Sequence, residues 1–150
     1  GTEAGCATGS AQTCSVGENG LKILFLGEIA VGQTSRMRMR ALEKLGHTVH
    51  GLQTHEPWRK ARWLKRQVQR RVQFGSIVDA INRSVLDAAR EFQPDLVWAE
   101  KQEFLRADTI HQLRKLGAKL IHFTPDPYFT HYWKRTALMD QAITAFDVLV

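Results

Sequence analysis

Cysteine is nearly absent: Cys6 and Cys14 are the only two, and both fall in the first twenty residues. A disulfide framework is thereby excluded, as is a zinc site built on paired cysteines, and a reducing, cytoplasmic setting is expected. Long apolar runs are missing as well. None approaches the roughly 20 residues needed to cross a bilayer, so the body is expected to be soluble. No repeat appears at the periods of about 20–50 residues that mark solenoids or propellers. Acidic residues vanish over Trp58–Val72, where Arg59, Lys60, Arg62, Lys65, Arg66, Arg70 and Arg71 stand without a counter-charge. These are seven of the chain's 21 basic residues, and the other 14 face 15 acidic ones. The net charge of +6 and the pI of 9.7 therefore belong to one segment, which weakens any step from global charge to nucleic acid.

What is present suffices for one core. The 150 residues, 43% of them hydrophobic, have the size of a single domain. Gly1–Gly20 has no periodic apolar residues and lacks the basic and apolar regions of a secretory signal. It is expected to be a disordered tail or expression remnant, which leaves Leu21–Val150 as the domain.

Within that domain, short apolar runs alternate with longer amphipathic ones, the pattern of a parallel sheet with crossover helices. Lys22–Leu26 (KILFL) predicts a buried first strand. Ser35 is an expected N-cap for a helix reaching Leu45, with Ala41, Leu42 and Leu45 inward and Gly46 as its stop. Thr48–Gln53 predicts a second strand, poor enough in apolar residues to lie at a sheet edge. Ile77, Ile81, Val85, Ala88 and Phe92 recur at spacings of three or four and predict a helix over Ser76–Phe92. A third strand is expected at Leu96–Ala99, a helix at Thr109–Leu116, a fourth strand at Lys119–Phe123, a helix through Leu138, Ala142 and Phe146, and a fifth strand at Val148–Val150. The expectation is an α/β domain on a doubly wound, Rossmann-like parallel sheet of about five strands, cut within the last and missing a C-terminal part.

The loop after the first strand, Gly27–Thr34, has the spacing of a Walker phosphate loop, but Gln33 occupies the lysine position. A neutral amide cannot offset phosphate charge, and Glu28 inside the loop would repel it. The dinucleotide fingerprint fails because its second glycine is missing. What survives is the rule that open α/β sheets bind ligands at the carboxyl ends of their strands. Those ends carry Gly27 and Glu28, then Glu100 and Lys101, then Asp126 in the Pro125–Pro127 turn. Three carboxylates form an acceptor-rich rim suited to sugar hydroxyls, and one of them is able to take a hydroxyl proton. The competing assignment for Glu28 and Glu100 is helix capping or dipole compensation. His47 and His50 point to opposite faces of a strand, and no metal or cofactor is expected.

The segment Trp58–Val72 reads as one basic amphipathic helix with Leu64, Val68 and Val72 as its stripe. Two assignments stand: a solvated helix covering the core with that stripe, or an anionic membrane contact through Trp58, Arg59, Arg62, Trp63 and Arg66, placing the protein peripherally at a membrane. Nucleic acid has no supporting motif.

LKILFLGE (Leu21–Glu28), Ser35-Arg36, ALEKLGHTV (Ala41–Val49), FQPDLVWAE (Phe92–Glu100) and GAKLIHFTPDP (Gly117–Pro127) together resemble the N-terminal half of glycosyltransferases built from two Rossmann-like domains (GT-B type), above all the CgeB-like, spore-maturation-protein-like branch. The resemblance covers about residues 21–150. It implies an acceptor-side domain of an enzyme that moves a sugar from a nucleotide sugar to a hydroxyl acceptor without a required metal, the donor being held through a second domain. It matches Asp126, the catalytic candidate of that strand-end chemistry, to the turn after the fourth strand, gives Gly27 and Glu28 a cleft-facing position, and places Arg36 where a first-helix base meets a phosphate. The alternatives are a non-catalytic Rossmann-like ligand-binding module or a nucleotide-cofactor-binding domain.

Overall fold

A computed structural model describes residues 20–125 and 136–150. Five strands, β1 (Lys22–Gly27), β2 (Thr48–Gln53), β3 (Leu96–Glu100), β4 (Lys119–Phe123) and β5 (Val148–Leu149), alternate with helices α1 (Thr34–Lys44), α2 (Glu56–Lys60), α3 (Trp63–Val72), α4 (Ser76–Phe92), α5 (Ala107–Lys115) and α6 (Ala137–Ile143). Every pairing is parallel, and the strand order is β2-β1-β3-β4-β5. The chain is thus the expected α/β domain on a doubly wound, Rossmann-like sheet, with β2 at an edge. The order reverses between β1 and β3, which sets a crevice at their carboxyl ends.

Alternation along the strands divides the core between two faces. Leu24, Leu26, Val97, Ala99 and Leu120 pack with Val85 and Ala89 of α4, Ile110 and Leu113 of α5, and Ala142 of α6. The expected α4 stripe holds, since Ala88 and Phe92 also pack against this cluster, half-buried. On the opposite face Phe25 stacks on Trp98 with ring centroids 6.3 Å apart, and Trp98 lies 5.6 Å from Phe123. The Arg38 guanidinium of α1 sits 4.7 Å over Phe123 and closes this aromatic row.

Two sequence expectations fail locally. Helix α1 begins at Thr34 with Gln33 at the N-cap, so Ser35 is not a cap but a buried first-turn residue. Its inward side carries Ser35, Arg38, Met39 and Leu42, while Ala41 and Leu45 face solvent. The rotation follows from Arg38, whose reach to Glu100 on β3 outweighs the small gain from burying an alanine. The basic helix expected at Trp58–Val72 is broken by extended backbone at Ala61 and Arg62 into α2 and α3. Trp58 turns inward onto Ile77, Val78 and Ile81 of α4. It is removed from any membrane contact.

His122 of β4 lies in the core against the Phe146 ring, 5.1 Å away. Burial pushes its imidazole below the usual histidine value of 6.5, partly opposed by a hydrogen bond with the Gln102 backbone. A depressed value means that the unfolded chain takes up the proton first, so stability is full above about 6.5 and declines as pH falls through the folded value. Urea midpoints should therefore drop between pH 7.5 and 5.5, and His122→Asn should flatten that drop while lowering the plateau.

Candidate functional site

The crevice at the switch point is a cleft of about 230 Å³. Its floor comes from the ends of β1 and β3, one wall from the first turn of α1, and the other from α2, α3 and α4. Glu28, Ser35, Thr54, Arg66, Arg70 and Glu100 mark its compass points, with Gln33, Lys101, Gln102, Glu103 and Phe104 between them. Glu28, Glu100 and Lys101 are thus brought together as the sequence proposed. Arg36 is half-buried and is not among the cleft-lining residues. At 100° per residue, Ser35 and Arg38 share a face that excludes it. Asp126 lies outside the described residues.

Glu100 is the anchor of the site. Its side chain is 1% exposed. One carboxylate oxygen accepts the Ser35 hydroxyl at 2.7 Å, the other accepts Arg38 Nε at 3.0 Å, and the Arg38 terminal nitrogen completes a two-pronged ion pair. Burial alone would raise the Glu100 pKa. The hydrogen bonds from Arg38 and Ser35, with the charges of Arg38 and Lys101, outweigh it and hold the carboxyl below its usual 4.5. The carboxylate is therefore ionised but committed, and it positions α1 without being available as a base.

Gly27 explains how the elements come so close. It is buried, and a Cβ there would meet Glu100 Cβ at 3.6 Å, Ser35 Cβ at 3.7 Å and the Phe25 ring at 3.2 Å. Its missing side chain serves the approach of α1 to β3. Immediately after Glu100 the chain bends through Lys101, at φ 50°, and Gln102 Nε2 donates back to the Glu100 carbonyl at 2.8 Å.

Three polar residues that sequence periodicity does not single out hold the walls. Asn82, buried in α4, donates to the Phe104 carbonyl at 2.8 Å and accepts from Arg106 N at 2.9 Å and Thr109 Oγ1 at 2.7 Å, fixing the β3–α5 loop. Gln53 accepts Ile29 N at 2.7 Å and ties the loop after β1 to the end of β2. Gln69 of α3 accepts Ile77 N at 2.8 Å, capping α4 in place of the N-cap Gly75. Gly75 has φ 125°, and a Cβ on it would meet Gln69 Cδ at 2.6 Å, so this junction demands glycine.

The electrostatics of the cleft are mixed. Glu28 and Glu103 have no ion-pair or hydrogen-bond partner among the described residues. The same cleft is lined by Arg66 and Arg70, one turn apart on α3, and by the N-terminus of α1, whose first turn carries no acid. Thr54 Oγ1, His55 Nδ1 and Trp58 Nε1 are buried in the remaining wall with no protein partner among the described residues. Such orphaned groups are rare in folded chains and cluster where ligands or ordered water complete them. No protein-family model matches the chain, and no curated protein is similar enough to be matched to it.

Glu100→Gln should cost about 2–3 kcal/mol at pH 7, less than the loss of a fully buried pair because Arg38 is partly solvated. The carboxylate's pKa is depressed in the fold, so its contribution is present above about 4.5 and lost as pH falls through the folded value. The gap between wild type and variant, read from urea unfolding, should narrow accordingly below pH 4. Asn82→Ala leaves two loop groups and the Thr109 hydroxyl of α5 without their partner and should cost about 2–3 kcal/mol. It should also raise hydrogen exchange at Phe104–Arg106.

Proposed function

We propose that this chain is the acceptor-side domain of a glycosyltransferase that moves a sugar from a nucleotide sugar to a hydroxyl acceptor, with the cleft between β1, β3 and α1 as the acceptor site. The observation that carries the reading is that two free carboxylates, Glu28 and Glu103, and two arginines, Arg66 and Arg70, line one cavity of sugar size. Its volume of about 230 Å³ lies just under the 300–1,000 Å³ usual for drug-sized ligands, which suits one saccharide unit. Carboxylates and the amides of Gln33 and Gln102 recognise hydroxyls, while Arg66 and Arg70 suit a phosphate or carboxylate on the same molecule. Supporting it further is what the loop lacks: Gln33 in place of lysine and no second glycine disfavour a triphosphate or dinucleotide.

In this reading Glu28 accepts the hydrogen of the acceptor hydroxyl, and Glu100 holds α1 so that its N-terminus faces the sugar. Asp126 shares the first role by its place in the sequence. The nucleotide-sugar donor is held by a second domain, and the transferred group meets the acceptor only when both are assembled in reacting geometry.

Saturation-transfer NMR on the chain with monosaccharides, hexose 1-phosphates, NAD and ATP tests the acceptor assignment. Saccharides or hexose phosphates are expected to bind. Glu28→Gln with Glu103→Gln should weaken them about tenfold or more, the value of a lost charged hydrogen bond. Binding of NAD without any saccharide would transfer the cleft to the nucleotide-cofactor class.

A further inference from the structure

Helix α3 is inside out. Its inward side is polar: Gln69 caps α4, and Arg66 and Arg70 line the cleft. Its apolar stripe faces water, with Leu64 66%, Val68 53% and Val72 59% exposed, and Trp63 at the first position of the helix and Phe74 just past its end are exposed too. None of the helix's residues is buried. An amphipathic helix in a globular domain places its stripe against the core; this one is held the other way round by Gln69, which bonds Ser76 and Ile77 at the start of α4. The core-covering assignment is therefore overturned for this stripe.

The charge around the stripe selects what covers it. Arg71 flanks Leu64 on one side and Lys65 flanks Val72 on the other, by the 100° advance per residue. Arg59 and Arg62 continue the positive field from the preceding turn. All four are exposed and form no ion pair among the described residues, and no acid occurs from Trp58 to Val72. An aliphatic stripe bordered by cations whose stems reach past it matches the boundary between acyl chains and anionic headgroups. A nucleic acid would meet the cations but bury no aliphatic stripe, and an acidic protein groove is the less economical partner for so short a helix.

We propose that α3 docks this protein on an anionic membrane surface, with Leu64, Val68 and Val72 entering the interface and Arg59, Arg62, Lys65 and Arg71 meeting lipid phosphates. Among the described residues no helix is long and apolar enough to cross a membrane, so the attachment is peripheral. The same helix turns Arg66 and Arg70 into the cleft, so docking brings the cleft within about one helix diameter, some 10 Å, of the headgroups. The docking itself does not depend on what the cleft binds.

Flotation of the 150-residue chain with vesicles of phosphatidylcholine, alone or mixed with phosphatidylglycerol, tests the proposal. Binding is expected only to the mixed vesicles and should fall at high salt, each engaged cation multiplying affinity roughly fivefold. Leu64→Gln with Val68→Gln and Val72→Gln should abolish flotation and leave the melting temperature nearly unchanged, because these residues are each more than half exposed. Equal binding to both vesicle types, or none, overturns the proposal. So does a triple variant that still floats and is displaced by duplex DNA, which would make the surface a polyanion site. A dimer in sedimentation that the triple variant dissolves, without flotation of the wild type, would assign the stripe to self-association.

Discussion

One buried charge organises this domain. Taking the Glu100 carboxylate out of water costs several kcal/mol, and the cost is offset only if Arg38 and Ser35 arrive together from α1. That requirement fixes the rotation of α1, since the helix has little apolar surface of its own with which to choose a face. Met39 and Leu42 are only half-buried, whereas Ala41 and Leu45 are left in solvent. The same rotation aims the first turn of α1 at the cleft and lays Arg38 over the Phe123 ring. Sheet, helix and binding crevice thus share a single electrostatic constraint. Gly27 makes it sterically attainable.

The strands and the longest helix were legible in the sequence because each buries apolar side chains at its own period. KILFL and KLIHF are short apolar runs, and Ile77, Ile81 and Val85 repeat at the helical spacing. The rotation of α1 was not legible, because hydrophobic periodicity weighs Ala41 and Leu45 and is blind to an ion pair formed with a strand more than sixty residues away. The break at Ala61 and Arg62 was hidden for a related reason. Neither residue is a glycine or proline, and the wheel runs smoothly from Trp58 to Val72 although the backbone does not.

At the site, strand-end chemistry placed Glu28, Glu100 and Lys101 correctly around the crevice, but it treated the two glutamates alike. Burial separates them. Glu100 is consumed by Arg38 and Ser35, and Glu28 lines the cleft with no partner among the described residues. Asn82, Gln53 and Gln69 escaped notice because a polar residue on a helix or strand end carries no periodic signal; its value lies in which backbone groups happen to come within 3 Å. A serviceable cue existed for one of them. Asn82 falls directly beside Ile81 on the buried side of α4, where an unpaired amide would be costly, so a network around it follows from its position alone.

The outward stripe of α3 has a consequence for how the lineage of this sequence is read. Because Leu64, Val68 and Val72 are each more than half exposed and join neither core cluster of the described residues, polar replacements there change stability by only about 0.5 kcal/mol. Folding therefore exerts almost no purifying selection on them, and drift alone would replace the aliphatic side chains with more soluble ones. Gln69 and Gly75, on the inner side of the same helix, are under the opposite regime, since any change there uncaps α4. Related sequences thus hold two separable records on one short helix: the inner face tells what the fold requires, and the outer face what the helix touches.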